Sequence, residues 1–203
     1  MKILVLDNYD SFTYNLVQLL REAGAERLDV CLNDRITLDA VEAYDKIVLS
    51  PGPGLPSEAG LLLPLIRRYA PTKSILGICL GEQAIAECFG ARLANLPQVC
   101  HGIASRIEIV APDPLFTGLP RRPTVGRYHS WVVDRHGFPD DTLKVTATDA
   151  AGAIMALAHR RYDVRGVQFH PESILTPEGG EMIANWLRYH PRNEAPTATD
   201  LQR

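Results

Sequence analysis

The segment Gly77-Ile78-Cys79-Leu80-Gly81 sets a cysteine between two glycines, at the point where the apolar run 75–78 gives way to a helix-like stretch. A strand that turns straight into a helix forces its corner residue into a tight, strained backbone, and glycine on either side removes the side chains that would collide there. A cysteine at such a corner projects from the end of a sheet with its sulfur at the first turn of a helix. Unpaired N–H groups and the helix dipole favour a thiolate in that place. The competing explanation is a small buried hydrophobe, since most cysteines are buried and inert. The elbow alone leaves these two readings evenly balanced, and the second half of the chain decides between them.

Residues 164–169 (VRGVQF) read as a buried strand running into His170-Pro171-Glu172-Ser173. Side chains at i and i+2 of an extended segment point the same way, and the intervening proline keeps the backbone extended, so His170 and Glu172 share one face. A histidine beside a carboxylate suits a general base whose tautomer and orientation are held by a third group. A surface histidine paired with its neighbour would be the better reading without Cys79; with an elbow cysteine upstream, the triad outweighs it.

A third element supplies what a nucleophile lacks. Residues 46–50 (KIVLS) read as a strand ending in Pro51-Gly52-Pro53-Gly54-Leu55-Pro56. The prolines donate no N–H, so the amides this loop can offer an anion are those of Gly52, Gly54 and Leu55. One of them, paired with the N–H of Leu80, has the makings of an oxyanion hole. Pro-Gly repetition is otherwise an ordinary turn signal.

These three segments, in this order, resemble the class I, triad-type glutamine amidotransferases. The opening Asp7-Asn8-Tyr9-Asp10-Ser11-Phe12-Thr13-Tyr14-Asn15 narrows the resemblance to the glutaminase components of anthranilate synthase and of aminodeoxychorismate synthase. Further matches are residues 50–54 (SPGPG), 77–81 (GICLG), His101-Gly102, 127–130 (RYHS) and 166–176 (GVQFHPESILT). The likeness covers residues 1 to about 190, and such a set of motifs is very unlikely by chance.

The resemblance implies that Cys79 attacks the side-chain amide of L-glutamine, that His170 moves the proton and that Glu172 orients His170. It implies an oxyanion hole from Gly52 and Leu80, and substrate contacts from Gly52, Pro53, Gly54, Gln83, Ser130 and Trp131. Gln83 follows Cys79 by four, which is one helical turn. The resemblance also implies a separate chorismate-using synthase subunit that receives the ammonia, with anthranilate as the leading product and aminodeoxychorismate, or both, as the alternative. An unrelated triad hydrolase, such as a cysteine peptidase or γ-glutamyl hydrolase, is opposed by the DNYDSF segment. A non-catalytic module is opposed by the intact cysteine, histidine and glutamate. Three positions depart from the family pattern. Glu82 stands where histidine is common, and by its spacing of three it is expected on the nucleophile's side of the helix, where a carboxylate would oppose thiolate formation. Trp131 stands for leucine. Ile103 stands where a lysine often follows His101-Gly102, which bears on partner contacts there.

At 203 residues and 46% hydrophobic content, the chain is the right size for one domain with a substantial core. A net charge of −3 leaves no basic footprint for nucleic acid. Cys31, Cys79, Cys88 and Cys100 lack the close paired spacing of a zinc site, no secretory signal is evident, and no apolar stretch is long enough for a membrane, so free thiols in a reducing cytoplasm are expected. No metal and no cofactor is implied.

Apolar runs at 3–6, 28–32, 47–49 and 75–78 alternate with helix-like segments at the spacing of βα units. Ser11 is expected to cap a helix running to Ala23, stopped by Gly24, and Gly90 to stop the elbow helix. The expected fold is α/β and three-layered: a mostly parallel open central sheet with helices on both faces, and ligands at the strands' C-terminal ends. Strands at 105–110, 124–128, 142–148 and 153–159 lack intervening helices and should add antiparallel edges. A last amphipathic helix is expected over 177–189, with Met182, Ile183, Trp186 and Leu187 as its apolar stripe. Residues 1–190 read as a single amidotransferase domain, and the polar, proline-bearing tail 191–203 is expected to be disordered. His129 reads as structural, and His101, His136, His159 and His190 as surface or satisfied polar residues.

Overall fold

Along the first strand, Ile3 and Val5 belong to one buried cluster and Leu4 and Leu6 to another, because successive side chains of a strand point to opposite faces of its sheet. Both sets are shielded from solvent, so the sheet is covered on both sides. The computed structural model describes residues 1–97 and 99–190; the tail 191–203 lies outside them. In chain order the elements are β1 (Lys2–Asp7), α1 (Thr13–Glu22), β2 (Arg27–Leu32), β3 (Lys46–Leu49), α2 (Leu62–Tyr69), β4 (Ser74–Ile78), α3 (Leu80–Cys88), β5 (Leu93–Asn95), β6 (Ile103–Ile109), β7 (Thr124–Arg127), β8 (Trp131–Val133), β9 (Leu143–Asp149), β10 (Ile154–His159), β11 (Val164–Val167) and α4 (Gly179–Arg188).

Nine strands form one sheet in the order β2-β1-β3-β4-β11-β10-β9-β6-β7. The run from β2 to β11 is parallel, and every pairing from β11 to β7 is antiparallel. Helices α2 and α3 pack through Leu62, Leu65, Ile66, Leu80 and Ile85 on the face carrying Leu4, Leu6, Ile47 and Leu49. Helices α1 and α4 cover the other face through Leu16, Leu20, Met182, Ile183, Trp186 and Leu187. Each fully buried Leu or Ile contributes about 1.5–3 kcal/mol to holding these layers together. The three-layer α/β architecture is the expected one, and the stripe on α4 faces inward as its spacing implies.

Helix α1 begins differently from the expectation. Ser11 is exposed and caps nothing; Asp10 Oδ1 accepts the Phe12 N–H at 2.7 Å, and Asp7 Oδ1 accepts from Asp10 N and from the Thr13 hydroxyl. Both carboxylates bind the turn that precedes the helix, and α1 starts after Phe12 with no side-chain cap. The stops hold: Gly24 and Gly90 take φ of 99° and 96°, and Ala25 and Ala91 return their N–H groups to Leu20 and Ala86. A small second sheet, β5 paired antiparallel with β8, was not foreseen. The C-terminal ends of β1, β3, β4 and β11 lie side by side and carry Asn8, Ser50 to Gly54, Cys79 and His170 respectively.

Candidate active site

Cys79 sits at the junction of β4 and α3 with φ 52° and ψ −103°, a conformation that an L-residue holds only under strain of roughly 1–3 kcal/mol. Its N–H donates to Val167 O at 2.8 Å, which ties the elbow to β11. The flanking glycines are there for space. A Cβ on Gly77 would lie 2.4 Å from the Gly81 carbonyl carbon, and one on Gly81 would lie 2.5 Å from Leu49 O. The thiol is 7% exposed.

The extended segment after β11 brings His170 and Glu172 together as its period of two requires. His170 Nδ1 lies 2.7 Å from Glu172 Oε1, so the carboxylate fixes the proton on Nδ1 and leaves Nε2 to act. Nε2 is buried and makes no hydrogen bond, although Cys79 is near enough to favour the imidazolium. Burial opposes that charge, but Cys79 and Glu172 together outweigh it and push the His170 pKa up to about 10. The ring is braced edge-on by Phe12 and Tyr128, at centroid distances of 5.7 and 5.0 Å, and the backbone by His170 N to Gly126 O.

The loop after β3 is held from the opening motif. Asn8 donates from its backbone to Ser50 Oγ and from its side chain to Ser50 O, both at 2.8 Å, while its Oδ1 accepts from Asn33. A Cβ on Gly52 would meet Asn8 Cβ at 2.6 Å and Leu80 Cδ2 at 2.8 Å, so only glycine lets the loop approach this closely. Leu55 N donates to Glu58 Oε2, which removes it from the three amides the sequence left open. The N–H groups of Gly52, Gly54 and Leu80 have no acceptor among the described residues.

Cys79, Gly52, Pro53, Gly54, Gln83, Ser130 and Trp131 line one cavity of about 220 Å³, together with Tyr128 and His129. Sites for drug-sized ligands run to roughly 300–1,000 Å³, so this one suits a single amino acid. His170, Glu172 and Leu80 are not on the cavity wall. Ser130 O accepts from Leu96 N, and Trp131 O accepts from both Gln83 Nε2 (3.0 Å) and His129 Nδ1 (3.0 Å), so the Trp131 carbonyl is fully engaged inside the protein. His129 is structural, as expected: burial first, then the neighbouring Arg127, lower its pKa to about 4 and keep it neutral.

Glu82 departs from the expectation. It is fully buried in the space between α3 and the sheet, where a Cβ on Gly166 would meet its Cγ at 2.6 Å. Neither carboxyl oxygen has a partner, and burial alone raises its pKa well above the usual range, so it sits there uncharged.

One residue of the site escaped the sequence reading. Gln168 is wholly buried, its Nε2 lies 3.5 Å from Cys79 Sγ, and its Oε1 accepts from Gln83 Nε2 at 3.1 Å. Its signal was there to read: it precedes His170 by two and so lies on the same face.

Of the other histidines, His101, His136 and His190 are exposed and His159 accepts backbone N–H bonds from Arg161 and Tyr162. Among the described residues no cluster of three or more His, Cys, Asp or Glu is placed to hold a metal ion, and no helix is long and apolar enough to cross a membrane.

The family model "Glutamine amidotransferase class-I" matches residues 4–189. Anthranilate synthase component 2 of Pseudomonas putida is 47% identical over 195 residues, covering 93% of this chain and 97% of its own. Aminodeoxychorismate synthase component 2 of Escherichia coli K12 is 47% identical over 187 residues, covering 91% and 98%. The crystal structure of a glutamine amidotransferase from Thermotoga maritima covers 92% of this chain and 96% of its own with a TM-score of 0.75, a likeness of fold alone at 16% identity. A nucleophile elbow, a histidine–carboxylate pair and a glycine loop around an amino-acid-sized cavity, together with a family match over nearly the whole length, make this chain a member of the class I glutamine amidotransferases.

Proposed function

We propose that this chain is the glutaminase subunit of an anthranilate synthase, hydrolysing L-glutamine to glutamate and delivering the ammonia to a chorismate-using synthase subunit. The observation that carries the reading is the convergence on one small cavity of the Cys79 sulfur, the Gly52–Gly54 loop and Gln83, with the His170–Glu172 pair behind them. Cys79, with its proton passed to His170 Nε2, attacks the side-chain amide carbon of glutamine and the carbonyl π pair moves to oxygen. The resulting oxyanion is met by the N–H groups of Gly52 and Leu80, donors fixed before the charge appears. Collapse expels the nitrogen, which takes the proton from His170 and leaves as ammonia, and a γ-glutamyl thioester remains. Water then gives a proton to His170 and attacks the thioester through a second oxyanion, and the sulfur departs as glutamate forms. Pro53, Gly54, Ser130 and Trp131 border the amino-acid end of the substrate. No step requires a cofactor.

Residues 1–190 form the amidotransferase unit in this reading, and the four unpaired cysteines accord with a cytoplasmic setting. The aminodeoxychorismate pathway remains the second reading, because the Escherichia coli relative is as similar as the anthranilate one. Reconstitution with the native synthase subunit tests both. Cys79→Ala should abolish glutamine-dependent product while product from added ammonium salt persists. Anthranilate as that product supports the first reading, and aminodeoxychorismate the second. Glutamine-dependent activity that survives Cys79→Ala removes Cys79 as nucleophile.

A further inference from the structure

The Cys79 sulfur has a hydrogen-bond partner that the reaction as written above does not use. Gln168 is 0% exposed, and its amide Nε2 stands 3.5 Å from Sγ, an ordinary distance for a donor to so large an atom. Which end of that amide faces the sulfur is decided elsewhere in the network. Gln83 Nε2 has two N–H groups and two acceptors in reach, Trp131 O at 3.0 Å and Gln168 Oε1 at 3.1 Å. Reversing Gln83 would set its oxygen against the Trp131 carbonyl, and reversing Gln168 would set two donors against each other, so one orientation satisfies the set. The Gln168 oxygen therefore faces Gln83 and its N–H faces the thiol.

We propose that Gln168 is a further residue of the reaction, a fixed N–H donor latched by Gln83 that holds the Cys79 sulfur as an acceptor and biases it toward the thiolate. A sulfur that accepts on the Gln168 side must release its proton on another, and there His170 Nε2 is buried without a partner. The ionisable groups around the sulfur are His170 and Glu172 from the segment after β11, Tyr128 and His129 from the β7–β8 connection, and Glu82 from α3. Glu82 and His129 are held uncharged, so the charge that varies near the sulfur is that of the His170–Glu172 pair, and a donor amide acts in the same direction as the imidazolium. This inference rests on Cys79 being the nucleophile.

The test follows alkylation of Cys79 by iodoacetamide as a function of pH, without glutamine, with the labelled peptide identified by mass because Cys31, Cys88 and Cys100 are also free. Gln168→Met keeps length and bulk and removes the donor. The alkylation profile should move up by roughly one pH unit, as expected for a lost hydrogen bond to a charged group. The rate at neutral pH should fall only about three- to tenfold, because a more basic thiolate is a better nucleophile. In glutamine hydrolysis kcat should fall while KM changes little. Gln83→Met leaves Gln168 in place but unlatched and should move the profile in the same direction by less; it carries the test should Gln168→Met fail to fold. An unmoved profile in a folded variant overturns the proposal, while faster labelling of another cysteine in the wild-type protein overturns the assignment of the nucleophile instead.

Discussion

Two buried carboxyls, Glu172 after β11 and Glu82 on α3, are treated by the protein in opposite ways. On the strand side, Glu172 gives one oxygen to His170 at 2.7 Å and so helps hold an imidazolium. On the helix side, neither oxygen of Glu82 has a hydrogen-bond partner, and burial drives it to the neutral form. The residue type is the same; the partner decides the charge. In the proposed reaction the working carboxylate therefore lies beyond the histidine, and the carboxyl on α3 is uncharged and raises no repulsion.

The sharpest way to break this contrast is Glu172→Gln, which keeps the shape and removes the charge. It should lower kcat for glutamine hydrolysis by about 10²- to 10⁴-fold, because the amide lets His170 adopt the wrong tautomer; ammonia release measured under saturating glutamine reads it. A loss under about tenfold would mean that the strand side is no more committed than the helix side.

Glu82→Gln is the matching change on the other side and should leave the pH profile of kcat/KM in place. Its effect belongs to stability. With its folded pKa raised, Glu82 holds a proton that the unfolded chain gives up above about pH 4.5, so the wild-type protein loses stability as pH rises from there toward the folded value. The variant lacks this slope. Denaturant melts at increasing pH above 4.5 should show it gaining on the wild type as pH rises. A constant difference would place a charged, paired carboxylate at residue 82.

A smaller effect of opposite sign belongs to His129. Its folded pKa of about 4 lies below the ordinary histidine value of 6.5, so its contribution is complete above the unfolded pKa and is lost as pH falls. From pH 6.5 to 5 the wild type should lose about 2 kcal/mol through this group, and His129→Gln should lose correspondingly less on acidification.

The parts of the fold written in apolar runs were legible. Strands β1 to β4 and the inward stripe of α4 needed only periodicity and length. Strands β5 and β8 did not announce themselves, because three residues fall below any useful window and Leu93-Ala94-Asn95 is only partly buried. At the start of α1 the sequence pointed to Ser11 as the cap, whereas the helix begins after Phe12 with no side-chain cap. Within the site, the period of two placed His170 and Glu172 correctly and would have placed Gln168 had it been followed two residues further back. The helical period placed Gln83 on the cavity wall, but no spacing rule reads the burial that leaves Glu82 uncharged. Local rules carried as far as the local geometry was regular, and they could flag the strained corner at Cys79 without reading the packing around it.

That corner has a consequence for how defects in this protein would be noticed. Because Cys79 is the residue with φ 52° and ψ −103°, replacing it by glycine relieves a backbone that alanine would leave strained, and Cys79→Gly should melt above Cys79→Ala by about 1 kcal/mol. Robustness and competence part company at this position. A survey of variants ranked by heat resistance would count the inert glycine form among the sound ones, and only an assay for released ammonia would expose it.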